Sequence, residues 1–191
     1  MPNSQDCIAS LFLVDDIVYS PNKYRETEGR KDSNDPSAFI HLKIDEANKT
    51  IYFVEEYVKK HMLNNEIADV IKELGYSKEV IIADSAENKS IAEIKKRGVS
   101  RITGAKKGPN SILTGIQFLQ QYDLVVDERC VKLIEELENY TWQKDKKTNE
   151  YINKPTDTYN HVIDASRYSL QAYDGFKVKA DYKSKIGRAH V

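Results

Sequence analysis

The sequence predicts a mixed α/β fold, one sheet with helices on its faces. Three observations predict it. Two β-rich runs, 37–44 and 50–58, are joined by Asp45-Glu-Ala-Asn-Lys49, which reads as a hairpin. From residue 64 to 140 helical and strand periodicities alternate. A last helix closes the chain after Pro155.

The elements follow in order. Residues 64–74 place Ile67, Val70, Ile71 and Leu74 at helical spacing, and Gly75 stops the helix. Residues 79–83 form a short buried strand that ends at Asp84. Residues 88–97 are a helix with Ile91 and Ile94 inward and basic residues in its last turn, closed by Gly98. A short strand at 100–103 precedes a helix over 111–121, with Ile112, Ile116 and Leu119 on one face. A buried strand at 124–126 leads to a helix over 128–140 carrying Val131, Ile134 and Leu137. Residues 141–155 read as a polar hairpin around Lys144-Asp-Lys-Lys-Thr-Asn149. The last helix is expected over 157–173. Residues 1–36 contain one strand-like run, 11–19, followed by a polar stretch rich in charge and turn residues.

Composition narrows the class. A chain of 191 residues is long enough for one sizeable core. The formal net charge is −1, so no global field draws the chain to nucleic acid, and a DNA-binding surface must be a local basic patch. Cys7 and Cys130 match no metal spacing and suggest free thiols in a reducing compartment. No apolar run reaches transmembrane length and no signal peptide opens the chain, so a cytoplasmic location is expected.

Four motifs can carry chemistry. An apolar strand running into Asp84 puts a carboxylate at the sheet edge where open α/β sheets gather ligands. The competing reading is a cap on the next helix, with Ser85 helping. The closing helix puts Asp157, His161, Asp164 and Tyr168 at steps of four, three and four, on one face. Carboxylates and an imidazole on one stripe are costly to bury, and a divalent cation offsets that cost; the bland alternative is a helix start with a solvated face. A glycine-flanked basic loop, Gly104-Ala-Lys-Lys-Gly-Pro-Asn-Ser111, offers Lys106 and Lys107 to phosphates, or is an ordinary solvated loop. It is not a P-loop, a motif found nowhere in the chain. The 141–155 hairpin carries Lys144, Lys146 and Lys147 beside Trp142 and Tyr151, so it suits a DNA backbone, with Trp142 as packing anchor the alternative. Glu55 and Glu56 stand on one strand, where alternation sends one to each face.

Seven segments in order resemble the C-terminal nuclease domain of the large terminase subunit of tailed bacteriophages. They are Asn34-Asp-Pro-Ser-Ala-Phe-Ile40, Glu55-Glu-Tyr-Val58, Ala83-Asp-Ser-Ala-Glu87, Lys106-Lys-Gly108, Val126-Asp-Glu-Arg-Cys130, Asn139-Tyr-Thr-Trp142 and Asp157-Thr-Tyr-Asn-His161-x-x-Asp164-x-x-Arg-Tyr168. The resemblance implies an RNase H-like fold and a metal-dependent endonuclease that cuts concatemeric double-stranded DNA during packaging. It implies two Mg2+ or Mn2+ ions, with Asp84, His161 and Asp164 as catalytic metal ligands; on the helix itself, Asp157 is expected as the cap. Lys106, Lys107, Lys144 and Lys146 are the expected DNA contacts. The terminase small subunit and the portal or procapsid are the expected partners, and the host cytoplasm is the expected location.

The chain departs from the family at its first strand. The family carries an aspartate there, in a pattern like Gly-x-Asp-x-Gly ahead of Asn-Asp-Pro. Counting back from Asn34, that place falls on Gly29, in a segment that is no apolar strand. Asp32 and Asp35 lack a strand to hold them; the run 11–19 offers Asp15 or Asp16. The expected division is therefore an atypical segment over 1–36 from a truncated or frame-shifted reading, the RNase H-like domain over 37–175, and a tail over 176–191. The last residues, Ile186-Gly-Arg-Ala-His-Val191, read as a translated sequencing adapter. A catalytically inactive DNA-binding or procapsid-docking fragment is the alternative function, and a resolvase-type enzyme is disfavoured by the seven matches.

Overall fold

The computed structural model of the protein describes residues 6–12, 36–85, 88–173 and 176. Its strands are β1 (Asp6–Phe12), β2 (Ser37–Asp45), β3 (Thr50–Lys59), β4 (Ile81–Ala83), β5 (Ile102–Gly104), β6 (Asp123–Val126), β7 (Trp142–Lys144) and β8 (Tyr151–Pro155). Its helices are α1 (Asn64–Glu73), α2 (Asn88–Lys96), α3 (Ser111–Leu119), α4 (Val131–Asn139) and α5 (His161–Ser169), the last continued by a 3-10 turn at Leu170–Ala172. The first six strands form one sheet in the order β5-β4-β1-β2-β3-β6, and β7 and β8 form a separate hairpin. β1, β2 and β3 are antiparallel neighbours, whereas β4 and β5 continue parallel to β1 and β6 lies parallel to β3.

The sheet is covered on both faces, which is why β2 is buried along nearly its whole length rather than in alternation. Ala38, Ile40, Leu42 and Ile44 pack with Phe118, Leu133, Val162 and Ala165 on the side of α3, α4 and α5. Phe39, Ile81 and Ala83 pack with Ile67, Ile71, Ile91 and Ile94 on the side of α1 and α2. The period of two then sends Ile82 toward Tyr168 of α5, and Asp84, two residues on, falls on the same side. Glu55 and Glu56 separate as alternation requires. Glu55 accepts the Tyr76 hydroxyl (2.8 Å), and Glu56 accepts the Lys132 and Leu133 amides at the start of α4 (2.6 and 2.9 Å). Gly75 and Gly98 take φ of +87° and +104°, closing α1 and α2 where a side chain would be strained.

Several sequence expectations are corrected. The first strand lies at Asp6–Phe12 and shares with the expected 11–19 run only Leu11 and Phe12. Asp15, Asp16, Gly29, Asp32 and Asp35 lie outside the described residues, as does nearly all of the 176–191 tail. β6 is an edge strand with Val125 exposed, not a buried one, because only β3 flanks it. On α3, Ile112 is exposed and the inward residues are Gly115, Phe118 and Leu119. On α4, Val131 and Leu137 are exposed, and the inward residues are Leu133 and Glu136. The last helix starts at His161, four residues later than expected. Asp157 precedes it on the surface, where it accepts Gln143 Nε2 (3.2 Å) and lies 3.7 Å from Lys154 Nζ; it does not cap α5.

Candidate functional site

Two carboxylates meet where β4 ends against the first turn of α5. Asp84 follows β4 directly, held at the edge by the ladder that puts Leu11 level with Ala83 on one side and Gly104 level with it on the other. Asp164 comes from the first turn of α5, one turn after His161. Asp84 is buried and Asp164 nearly so, with side chains 8% and 14% exposed. Burial raises the Asp164 carboxyl above its usual range; Asp84 adds to the rise, while Arg167 and His161 oppose it. His161 is half-buried and opens the helix. Thus the structure sets Asp84 and His161 within electrostatic range of Asp164 and leaves Asp157 outside.

Each carboxylate carries a cation. Arg167 Nε and Nη2 both donate to Asp164 Oδ1, at 3.1 and 2.5 Å. Lys107 Nζ lies 2.5 Å from Asp84 Oδ1, and the Tyr168 hydroxyl donates to Asp84 Oδ2 at 3.4 Å. The Tyr168 ring stands between the two cations, its centre 5.8 Å from Lys107 Nζ and 5.5 Å from Arg167 Cζ. Burial and the two carboxylates raise its phenol pKa, so it keeps its proton and stays a hydrogen-bond donor to Asp84 at physiological pH. The cations differ in permanence: the Arg167 side chain is 3% exposed and the Lys107 side chain 44%.

Sequence reading missed the residue that holds α5 in place. The helix N-terminus leaves amides without intrahelical partners, and Asn160 at the N-cap makes no side-chain capping bond. Glu136, reaching from α4, accepts the Val162 and Ile163 amides, both at 2.9 Å on Oε2. It is a buried carboxylate, and burial pushes it up to about 7 despite those bonds. Glu56 caps α4 in the same manner, so two carboxylates in series tie β3 to α4 and α4 to α5. The other missed residue is Gln171 in the 3-10 turn. Its Oε1 accepts the Lys106 amide (2.7 Å) and its Nε2 donates to the Lys106 carbonyl (3.1 Å), clamping the basic loop beside Asp84. The signal available for Glu136 was its place on the stripe of Cys130, Leu133 and Tyr140.

The expected DNA contacts divide. Lys107 is engaged by Asp84, and Lys106 is exposed at the clamped loop. Lys144 lies over the Tyr151 ring at 4.8 Å, on the hairpin that also exposes Trp142, Tyr151 and Ile152. Lys146 is exposed in the hairpin turn.

Residues 32–172 match the family described as the terminase RNAseH like domain. The chain belongs to this family. It is 36% identical over 140 residues to the terminase large subunit of Bacillus phage SPP1, covering 72% of this chain and 33% of that protein. It is 32% identical over 143 residues to the PBSX phage terminase large subunit of Bacillus subtilis strain 168, covering 72% and 32% respectively. The chain therefore spans about a third of the length of the curated relatives it matches. Among solved structures, the nuclease domain of the SPP1 large terminase, crystallised with bound Mn, superposes with a TM-score of 0.73 at 32% identity, over 87% of this chain and 86% of that one. The fold is thus that of an RNase H-like large-terminase nuclease domain. No helix among the described residues is long and apolar enough to cross a membrane.

Among the described residues no three His, Cys, Asp or Glu side chains gather at one point. The Asp84–Asp164 pair nevertheless has what a hard divalent cation takes: carboxylate oxygens largely withdrawn from solvent, with the Asp84 charge adding to the rise of the Asp164 carboxyl. Both Arg167 bonds fall on Oδ1 of Asp164, so Oδ2 is not engaged by it. The pair fits one such cation completed by water or phosphate oxygens.

Proposed function

We propose that this chain is the endonuclease domain of a phage terminase large subunit, hydrolysing phosphodiester bonds of concatemeric double-stranded DNA during genome packaging in the host cytoplasm. The observation that carries this reading is the buried Asp84–Asp164 pair at the end of β4 in a chain of the terminase RNase H-like family. Asp84 and Asp164 would hold Mg2+ or Mn2+, with His161 beside them. The Mn bound in the SPP1 relative supports the choice of ion class. A bound divalent cation supplies charge for the developing oxyanion and lowers the pKa of attacking water.

The remaining chemistry belongs to the side chains. Arg167 opposes the burial-driven rise of the Asp164 carboxyl and fixes its rotamer. Tyr168 orients Asp84 through Oδ2. Glu136 sets the angle at which α5 presents His161 and Asp164. Lys106, with Lys144 and Lys146 on the hairpin, would neutralise backbone phosphates, and the exposed Trp142 and Tyr151 give the duplex an apolar surface to lie against. Two ions need a further carboxylate from the first strand. The small subunit and the portal or procapsid are the proposed partners of the larger protein.

A second reading, a DNA-binding or procapsid-docking fragment without nuclease activity, is favoured by one observation. The β1–β4 ladder ends with Leu11 level with Ala83, and the residue that follows Leu11 on β1 is Phe12, not an acid. Plasmid nicking in Mn2+ separates the readings. Wild type is expected to convert supercoiled plasmid to nicked and linear forms, and Asp84→Asn and Asp164→Asn to lose at least about 100-fold of that rate. Equal nicking by all three, or none by wild type, rejects the endonuclease.

A further inference from the structure

Resting on the metal-site reading above, we propose that Lys107 is an exchangeable cation standing in for the metal at Asp84, and that Gln171 is the positioning residue that delivers it. A buried carboxylate at a sheet edge needs a counter-charge at all times, because desolvated charge without a partner is costly. A metal site also needs its ligand vacated when the ion arrives. Asp164 and Asp84 meet these demands differently. Asp164 has Arg167, whose side chain is sealed under α3 and fixed through two nitrogens, so that partner is permanent. Asp84 has Lys107, which reaches it from solvent on a flexible stem with nearly half its side chain exposed. A lysine ammonium is a compact charge with freely rotating donors, so it can leave without dismantling a fixed fork.

The backbone beneath the lysine is fixed even though its side chain is not. The Ala105 amide donates to the Ala83 carbonyl (2.7 Å), extending the β4–β5 ladder by one residue past Gly104. Gln171 then holds both the amide and the carbonyl of Lys106. Two successive residues are thereby pinned, one to the strand that carries Asp84 and one to the end of the helix that carries Asp164. The next residue, Lys107, swings from that anchored base. Beyond it, Gly108, Pro109 and Asn110 lead out to α3 with Asn110 at φ +62°. The released ammonium stays over the site, where the scissile phosphate brings its charge. The ion and the lysine therefore compete for Asp84 Oδ1, and binding of one frees the other for DNA.

Titration calorimetry of Mn2+ into the DNA-free protein tests this without any turnover. Lys107→Met is expected to bind Mn2+ roughly three- to tenfold more tightly than wild type, the worth of a half-exposed charged hydrogen bond. Lys107→Arg keeps the charge and is expected to stay within about twofold of wild type, while Gln171→Ala, which frees the loop, falls between the two. Asp84→Asn serves as the control that the measured site is this one, and is expected to abolish the tight heat. Affinity in Lys107→Met that is unchanged or weaker overturns the exchange and leaves Lys107 a phosphate contact only. Equal tightening in the Met and Arg variants overturns competition by charge. Absence of binding to wild type and every variant defeats the metal reading itself, and the inference with it. Lys107 is exposed and in a loop, so these substitutions leave the fold intact, which far-ultraviolet circular dichroism verifies.

Discussion

Gly115 controls how closely α3 approaches the buried arginine of the site. A Cβ built there would stand 2.9, 3.0 and 3.1 Å from Cδ, Cγ and Cβ of Arg167. These are the root of a side chain only 3% exposed, not a tip that can swing away. Alanine at 115 would gain about 1 kcal/mol of helix propensity on the exposed-helix scale. Overpacking a sealed neighbour costs about 1–3 kcal/mol. The clash should win: Gly115→Ala is expected to lower stability by about 1 kcal/mol in urea unfolding. It should also slow plasmid nicking, because Arg167 moves off Asp164 Oδ1. A variant more stable than wild type with unchanged nicking would show that Arg167 is freer than its burial indicates. The importance of residue 115 is not legible in the sequence, where a single glycine inside a helical pattern reads only as a weak point. What demands it is the width of a residue on another helix, 52 positions away.

At the scale of elements, the site depends on how α5 is seated, and this is where sequence reasoning and structure part. Asp84 was legible because a short apolar strand ending in an acid has few other meanings. His161 and Asp164 were legible because their spacing of three is helical wherever the helix begins. The helix start was not, since Pro155 and Asp157 offered an N-terminus by composition while the capping group came from α4. The face of α4 was misread for a related reason. Counting apolar residues selects Val131, Ile134 and Leu137, because an acid at 136 scores as solvent-facing; its actual task is to pair with amides of α5. That burial makes a pH prediction. The Glu136 carboxyl sits at about 7 in the folded protein against 4.5 ordinarily, so between these values the native state holds a proton that the unfolded state has lost. Stability is then greatest below about pH 4.5 as far as this group is concerned, and falls as pH rises to about 7, by up to about 3 kcal/mol. Asp164, also raised by burial, acts in the same direction, so the test is a difference between two proteins. Denaturant midpoints of wild type from pH 5 to 8 should fall more steeply than those of Glu136→Gln, whose amide oxygen still accepts from α5 but does not titrate. Parallel curves would mean that Glu136 stays ionised throughout.

At the scale of the whole molecule, the sheet order brings the end of β1 to the edge that carries Asp84. β1 lies in the centre, antiparallel to β2 and parallel to β4, so its C-terminal end and that of β4 reach the same edge. Residues level across neighbouring strands share a face. The β1–β4 ladder ends with Leu11 level with Ala83, a residue of the α1–α2 face, and Phe12 and Asp84 are the next positions along the two chains. The acid that β1 does carry, Asp6, pairs with Ile44 at the opposite end of the sheet. Placing a carboxylate at position 12 therefore tests whether the end of β1 can offer the Asp84–Asp164 pair a third ligand. Phe12→Asp is expected to tighten Mn2+ binding by about tenfold or more in calorimetry and to raise the nicking rate, since each added carboxylate brings both charge and a fixed oxygen to a hard cation. Leu11→Asp, one residue earlier and so on the other face, is expected to give neither gain and to lose stability, because an unpaired charge is then forced toward the α1–α2 core. The comparison reads parity rather than mere acidity. Gain in both variants would assign the effect to net charge at the sheet edge, and gain in neither would mean that β1 does not bring residue 12 to Asp84. In the first case Mn2+ affinity would also follow salt concentration closely, whereas a ligand inside the buried site is screened far less.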